Sequence, residues 1–229
     1  MPALPATAAT TGASMLTIED LKGICLEARA SFETVQLIIA GGAPRDILSK
    51  APVKDIDIFV NGAYVPHFEE CCGAFAAVIG GVIVNSEAHN QGDKDYVGRF
   101  GRLCDIKMPG EHPPVQVIQL FEDPVDDVNR YDFGLSQCFV TPRGLFMTPK
   151  CIEDRMSMSI TYMDTDKGNA ALRRSKRRLA HLRAKYDPDL WLFNNCEQLD
   201  AMPEEVTIVN EGSFTDADEL MAALDRIFK

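Results

Sequence analysis

The stretch Leu37–Val60, LIIAGGAPRDILSKAPVKDIDIFV, decides how the rest of the chain is read. Leu37 to Ala40 form a continuous apolar run, as in a buried strand, and Gly41-Gly42 end it. Pro44 suits the start of a helix, where its missing N–H has no partner to lose. From Lys54 to Val60 polar and apolar residues alternate, which predicts a half-exposed strand. On such a strand Asp55 and Asp57 share one face, with their roots ~6.6 Å apart, while Ile56 and Ile58 take the other.

Two kinds of chemistry meet in this pattern. A pair of carboxylates on one face is a minimal platform for Mg²⁺, which takes oxygen ligands and completes its shell from water and substrate phosphates. Upstream, the glycines allow close approach of a ligand, and helix-start N–H groups with the Arg45 fork can hold phosphate oxygens. Asp46 falls in the same first turn, either as a helix-start acid that anchors Arg45 and the loop or as part of the ligand site. Alone, the Asp-Ile-Asp triplet is an ordinary surface strand; the cradle before it makes it a candidate site.

The order GGAPRDILSKAPVKDIDIFV resembles the signature of the polymerase-β-type nucleotidyltransferases, closest to the head domain of CCA-adding tRNA nucleotidyltransferases and bacterial poly(A) polymerases. Gly41, Gly42, Arg45, Asp46, Lys54, Asp55 and Asp57 match it, and Pro44 replaces an aliphatic residue. The resemblance implies a Mg²⁺-dependent transfer of a nucleoside monophosphate from a nucleoside triphosphate to a hydroxyl. Asp55 and Asp57 would be the catalytic metal ligands, and Gly41, Gly42, Arg45, Asp46 and Lys54 would bind the nucleotide. A second segment, DDVNRYDFGLSQC, is similar to the family's later Arg-Arg-Asp-Phe-Thr-x-Asn run. It makes Arg130 and Asp132 nucleotide-binding candidates, against the alternative of an internal ion pair pinning two loops. Tyr131, Gly134 and Ser136 depart from the family here, and Phe133 reads as core.

One departure touches the chemistry. The family's third acidic position aligns with Gln116, whose amide can accept a hydrogen bond but cannot take a proton or add negative charge. Asp105, on the neighbouring predicted strand, is the candidate substitute, against its reading as a surface residue. The alternative function is therefore an eroded nucleotidyltransferase-like fold retained as a binding or assembly module. A kinase-like site is disfavoured because no Walker-type or kinase glycine loop is present.

Around the motif, the periodicity predicts helices from Thr17 and over Pro66–Gly80, strands at 81–86, 102–108, 114–121, 135–141 and 144–148, and an α+β (α/β) mixed sheet flanked by helices. From Asn169 to Tyr186, Leu172, Leu179, Leu182 and Tyr186 lie on one stripe of a helix. Its other faces carry Arg173, Arg174, Lys176, Arg177, Arg178, Arg183 and Lys185. This basic helix, 173–185, reads as a grip on RNA, as a surface for a protein partner's acidic face, or as a solvated face. The expected organisation is a disordered lead-in over 1–15, a nucleotidyltransferase-like domain over 16–165, and a C-terminal extension over 166–229 ending in a strand and a helix capped at Thr215. The residues after the basic helix are too few for the body with which the family holds tRNA. An RNA end, a small molecule and a protein side chain all remain acceptors.

With 229 residues and 46% hydrophobic content, the chain can bury a sizeable core. A net charge of -11 disfavours broad coating of nucleic acid. Seven cysteines without a C-x-x-C pair disfavour a disulfide framework or a zinc site and suit a reducing, cytoplasmic setting. The longest apolar run, FAAVIGGVIV, is about half the ~20 residues that cross a bilayer, so no membrane span is expected. His67, His89, His112 and His181 are scattered and take no role, and Trp191 reads as an anchor for the extension.

Overall fold

The computed structural model describes residues 16–32, 36–61, 67–88, 100–163 and 168–203. The expected lead-in and the closing strand and helix after Glu204 lie outside the described residues, as do His89 and most of the polar loop around it. Chain order runs α1 (Ile18–Ser31), β1 (Leu37–Ala40), α2 (Gly42–Leu48), β2 (Ile56–Asn61), α3 (Phe68–Val78), β3 (Val82–Ala88), β4 (Phe100–Lys107), β5 (Val115–Leu120) and α4 (Pro124–Val128). A 3₁₀ turn (Gly134–Ser136), β6 (Cys138–Thr141), β7 (Gly144–Met147), α5 (Pro149–Met156), β8 (Ser159–Thr161), α6 (Gly168–Lys185), β9 (Leu192–Asn194) and α7 (Glu197–Asp200) follow.

The architecture is α+β. A seven-stranded mixed sheet has the order β3-β4-β5-β2-β1-β6-β7, with β8 and β9 forming a separate two-stranded sheet. Only β2 and β5 pair in parallel within the large sheet; its other neighbours are antiparallel. Side-chain alternation divides the sheet into two faces. On one, Ile56, Ile58, Val60, Val115, Val117, Cys104 and Ile106 pack beneath Leu21, Cys25 and Ala28 of α1 and Phe68, Cys72 and Phe75 of α3. Helix α1 starts where the sequence places it, with Thr17 and Asp20 closing a reciprocal capping box. The other face carries Ile38, Ala40, Phe59, Ile118 and Leu120, covered in part by Val128 of α4.

A third cluster joins the 3₁₀ region to the basic helix. Phe133, Leu135, Ile160 and Tyr162 pack with Leu179, Leu182 and Tyr186 of α6 and with Cys196 and Leu199. Trp191 meets Tyr186 edge-on, with ring centroids 4.9 Å apart. The apolar stripe read from the sequence is thus the face α6 buries, and Phe133 is core.

Three local expectations change. Leu135 and Ser136 belong to the 3₁₀ turn and not to β6, because Ser136 and Gln137 donate their N–H groups back to Phe133 and Gly134. Helix α2 begins at Gly42, which puts Pro44 third in its first turn, where it still removes no helical bond. Asp55 sits in the segment leading into β2, not within the strand. All seven cysteines are free thiols and six are buried, so none forms a disulfide.

Candidate active site

The end of β1 and the start of β2 meet at one end of the sheet, because the two strands run antiparallel. Gly41 makes the turn with φ of 76°, a left-handed conformation that favours glycine, and its N–H donates to the Cys138 carbonyl of β6 at 3.2 Å. A Cβ on Gly42 would stand 3.9 Å from Asp55 Oδ1 and 3.8 Å from an Arg45 guanidinium nitrogen; one on Gly41 would stand 3.5 Å from the Tyr131 ring. The glycine turn, Arg45 and the first aspartate therefore converge without a side chain between them. They open onto a cleft of about 810 Å³ that Asp55, Asp57, Lys54, Gln116 and Asp132 also line.

Asp57 points into this cleft from the sheet face that carries Phe59 and Ile118, which form part of its apolar wall. Its carboxyl is pushed up to about 7, chiefly by burial and then by the charge of Asp55; Arg178, Lys54 and Arg45 oppose the rise. Among the described residues no three His, Cys, Asp or Glu side chains come together as a metal cluster, so Asp55 and Asp57 stand as a pair.

Gln116 lies on the strand next to the aspartate pair. It is the parallel partner of Asp57 in the β2–β5 register, and it faces the same cleft. Asp105 does not substitute for a third acid. It pairs with Gln116 from the far side, on β4, two strand spacings or roughly 9.5 Å from Asp57, and accepts a 2.7 Å hydrogen bond from the Gln116 amide.

Asp46 is 2% exposed, and its carboxylate accepts from Arg45 Nε at 2.7 Å, from the Tyr186 hydroxyl at 3.0 Å and from Lys185 Nζ. Of the two readings of Asp46, the anchor describes this geometry: the acid straps α6 onto the glycine turn. Burial pushes the Tyr186 phenol up to about 12, Arg45 opposing and Asp46 adding to the rise, so Tyr186 remains a donor. Arg45 is correspondingly committed. It also donates to Ser136 Oγ at 3.0 Å, which ties the first motif to the second.

The second motif divides. Asp132 lines the cleft, but its carboxylate is held by α6, accepting from Ser175 Oγ at 2.7 Å and from Arg178 at 2.9 Å. Arg130 turns to Glu122 and lies 3.8 Å from Asp127, and it is not among the described residues that line the cleft. Gly134, where the family carries threonine, has a physical reason: a Cβ there would stand 2.6 Å from the buried Asp154 carboxylate.

Sequence reasoning missed the opposite wall. Arg178, His181 and Lys185, at three- and four-residue steps on α6, all face the cleft. Elsewhere on α6, Arg183 makes a bidentate pair with Asp200 at 2.6 and 2.9 Å, and Lys176 donates to the Met202 carbonyl. Much of the basic helix is therefore engaged within the fold. The available signal was the spacing of Arg178, His181 and Lys185, adjacent to the Leu179–Leu182–Tyr186 stripe.

No protein-family model and no curated protein matches the chain. Solved structures do. A CCA-adding enzyme structure in complex with CTP aligns with a TM-score of 0.55 at 18% identity, over 80% of this chain and 41% of that one. The Thermotoga maritima CCA-adding enzyme complexed with tRNA gives 0.54 at 16% identity, over 78% and 40%. A Bacillus stearothermophilus CCA-adding enzyme in complex with CTP gives 0.52 at 16%, over 81% and 43%. The chain spans less than half the length of these neighbours. Its fold is like that of a part of these CCA-adding enzymes.

Proposed function

We propose that the chain is a nucleotidyltransferase that takes a nucleoside triphosphate with Mg²⁺ into this cleft and passes the nucleoside monophosphate to a hydroxyl acceptor. The observation that carries the reading is convergence: the Gly41–Gly42 turn and the Asp55–Asp57 pair line one cleft, with Asp55 3.9 Å from where a Cβ on Gly42 would stand. A cation fits the pair on its chemistry. The donors are all oxygens, and Asp57 is driven toward a proton by burial and by Asp55, a cost that a cation in the proton's place would relieve. Bound there, Mg²⁺ would neutralise charge on the phosphates and on the attacking oxygen.

The chain's own residues do the positioning. Asp55 and Asp57 hold the cation, and the glycine turn lets the triphosphate lie against backbone. Phe59, Ile118 and Leu103 give the nucleoside an apolar wall, while Lys54 and Arg178 offset phosphate charge. The acceptor hydroxyl gives up its proton to water, its oxygen bonds to the α-phosphorus, the bond to the bridging oxygen breaks, and pyrophosphate leaves; catalysis is chiefly orientation and charge neutralisation. Acceptors of this class are an RNA end, a small molecule or a protein hydroxyl; the likeness to a fold neighbour solved with tRNA supports keeping the first.

Gln116 favours a second reading, a module that binds the nucleotide without turnover. Incubation with each labelled nucleoside triphosphate, Mg²⁺ and acceptor extracts separates the two. Pyrophosphate release or label transfer, lost in Asp55→Asn and Asp57→Asn, is expected. Tight binding with no release in any mixture would establish the module, and no binding at all would defeat both.

A further inference from the structure

Gln116 does not stand alone beside Asp57. A polar row crosses the cleft face of the sheet in register: Asp57 on β2, Gln116 on β5, Asp105 on β4 and Asn85 on β3. Within it the donors and acceptors are ordered. Gln116 Nε2 donates to Asp105 Oδ1 at 2.7 Å, and Asn85 Nδ2 lies 3.4 Å from Asp105 Oδ2, so Asp105 is approached by an amide from each side. A carboxylate only accepts, so the Gln116 atom that meets Asp105 is the nitrogen. The other terminal atom of the carboxamide is its oxygen, and Gln116 itself lines the cleft one strand from Asp57.

We propose that Asp105 is a positioning residue: it fixes the Gln116 carboxamide with its oxygen toward the Asp55–Asp57 pair, where it serves a divalent cation as a neutral third ligand. This rests on the reading of the cleft as a cation–triphosphate site. A carboxylate at Gln116 would bring the protein's charge at the cation to about −3, whereas the amide leaves it at about −2. The site then holds a free cation weakly and gains most of its affinity when the cation arrives with a triphosphate, whose oxygens supply the missing ligands and charge. The substrate class is the preformed metal–triphosphate complex. The row explains why Asp105 and Asn85, which lie outside the cleft, are polar at all: each fixes the orientation of the next residue inward.

Electron paramagnetic resonance of Mn²⁺ tests this without turnover, using the full chain with Mn²⁺ alone and with Mn²⁺ plus a non-hydrolysable triphosphate. Gln116→Glu is expected to bind free Mn²⁺ at least tenfold more tightly than the unsubstituted protein. Asp105→Asn, which can turn either face to the glutamine, is expected to weaken binding of the Mn²⁺–triphosphate complex about tenfold, in the range by which outer-shell partners tune metal sites. In a Gln116→Met background, with no oxygen left to orient, Asp105→Asn should have no further effect. Retention of the unfolding midpoint in each variant keeps a folding defect from passing for a ligand effect. If Asp55→Asn abolishes Mn²⁺–triphosphate binding while the Gln116 and Asp105 variants bind like the unsubstituted protein, the inference fails and the reading of the cleft survives. If Asp55→Asn also binds normally, both fail.

Discussion

The two walls of the cleft are built in opposite ways. The floor, from β1 through α2 to the start of β2, is continuous sequence in which each neighbour sets the next: buried strand, glycine turn, short helix, aspartate pair. The opposite wall is α6, more than a hundred residues later, and it is held by contacts to Asp46 of the floor and to Asp132 of the second motif. Asp46 holds Lys185 and Tyr186, and Asp132 holds Ser175 and Arg178. Local rules are enough to specify the first wall. The second exists only when two buried acids find partners on a distant helix.

The largest expected effect breaks the strap itself. Asp46→Ala removes the acceptor from three donors in a nearly dry site, and breaking a buried network of this kind costs about 3–5 kcal/mol. Asp200→Ala, which releases Arg183 of α6 from an exposed pair with α7, should cost under ~1 kcal/mol. Urea unfolding of both variants measures the contrast. Equal losses would mean that α6 is not held through Asp46. A large loss at Asp46 alone, with weakened triphosphate binding at concentrations where the variant stays folded, would tie the strap to the cleft.

This asymmetry also decides how much of the molecule was legible in its sequence. The apolar runs, the helix period and the Thr17–Asp20 cap place α1, α3, β1 and β2, since each signal lies within a dozen residues. Gln116 is singled out through the resemblance alone; that it lies beside Asp57 depends on the parallel β2–β5 pairing, which no local signal announces. β8 and β9 are three residues each, too short for a periodic signal, and pair across an intervening helix. The destination of a charged side chain is less legible still. Arg130 and Arg178 look alike in the sequence; Glu122 draws one away from the cleft, and Asp132 draws the other into it.

A smaller effect separates the floor's function from its stability. Asp57 in the folded chain titrates near 7 against 3.8 for an unburied aspartate, so between those values the folded state keeps a proton that the unfolded state has released. More protons on the folded side means that this group's contribution is intact below about pH 4, declines as pH rises, and levels off above about 7. In the presence of chelator, the stability of the unsubstituted protein minus that of Asp57→Asn should fall across this window by on the order of 2–3 kcal/mol, allowing for water reaching a partly exposed group. The asparagine variant should then be the more stable of the two at pH 8, although it is expected to lose transfer. A difference that stays flat with pH would mean that Asp57 is as well solvated as an ordinary surface acid.

The finest comparison lies between the two arginines. Arg178 is half exposed and lines the cleft while anchored to Asp132, so its charge acts on Asp57 and is available to a triphosphate. Arg130, similarly exposed, spends its geometry on Glu122 outside the cleft. Arg178→Ala should therefore weaken binding of a non-hydrolysable triphosphate about tenfold, or ~1.4 kcal/mol, the scale of one charge-assisted contact. Arg130→Ala should change it less than about twofold, since an exposed pair outside the cleft contributes little to either state. Raising the salt concentration should narrow the gap, because screening weakens a half-exposed arginine's pull on phosphate. The reverse ranking in a binding titration would put the second motif's arginine back at the nucleotide and make α6 a scaffold only.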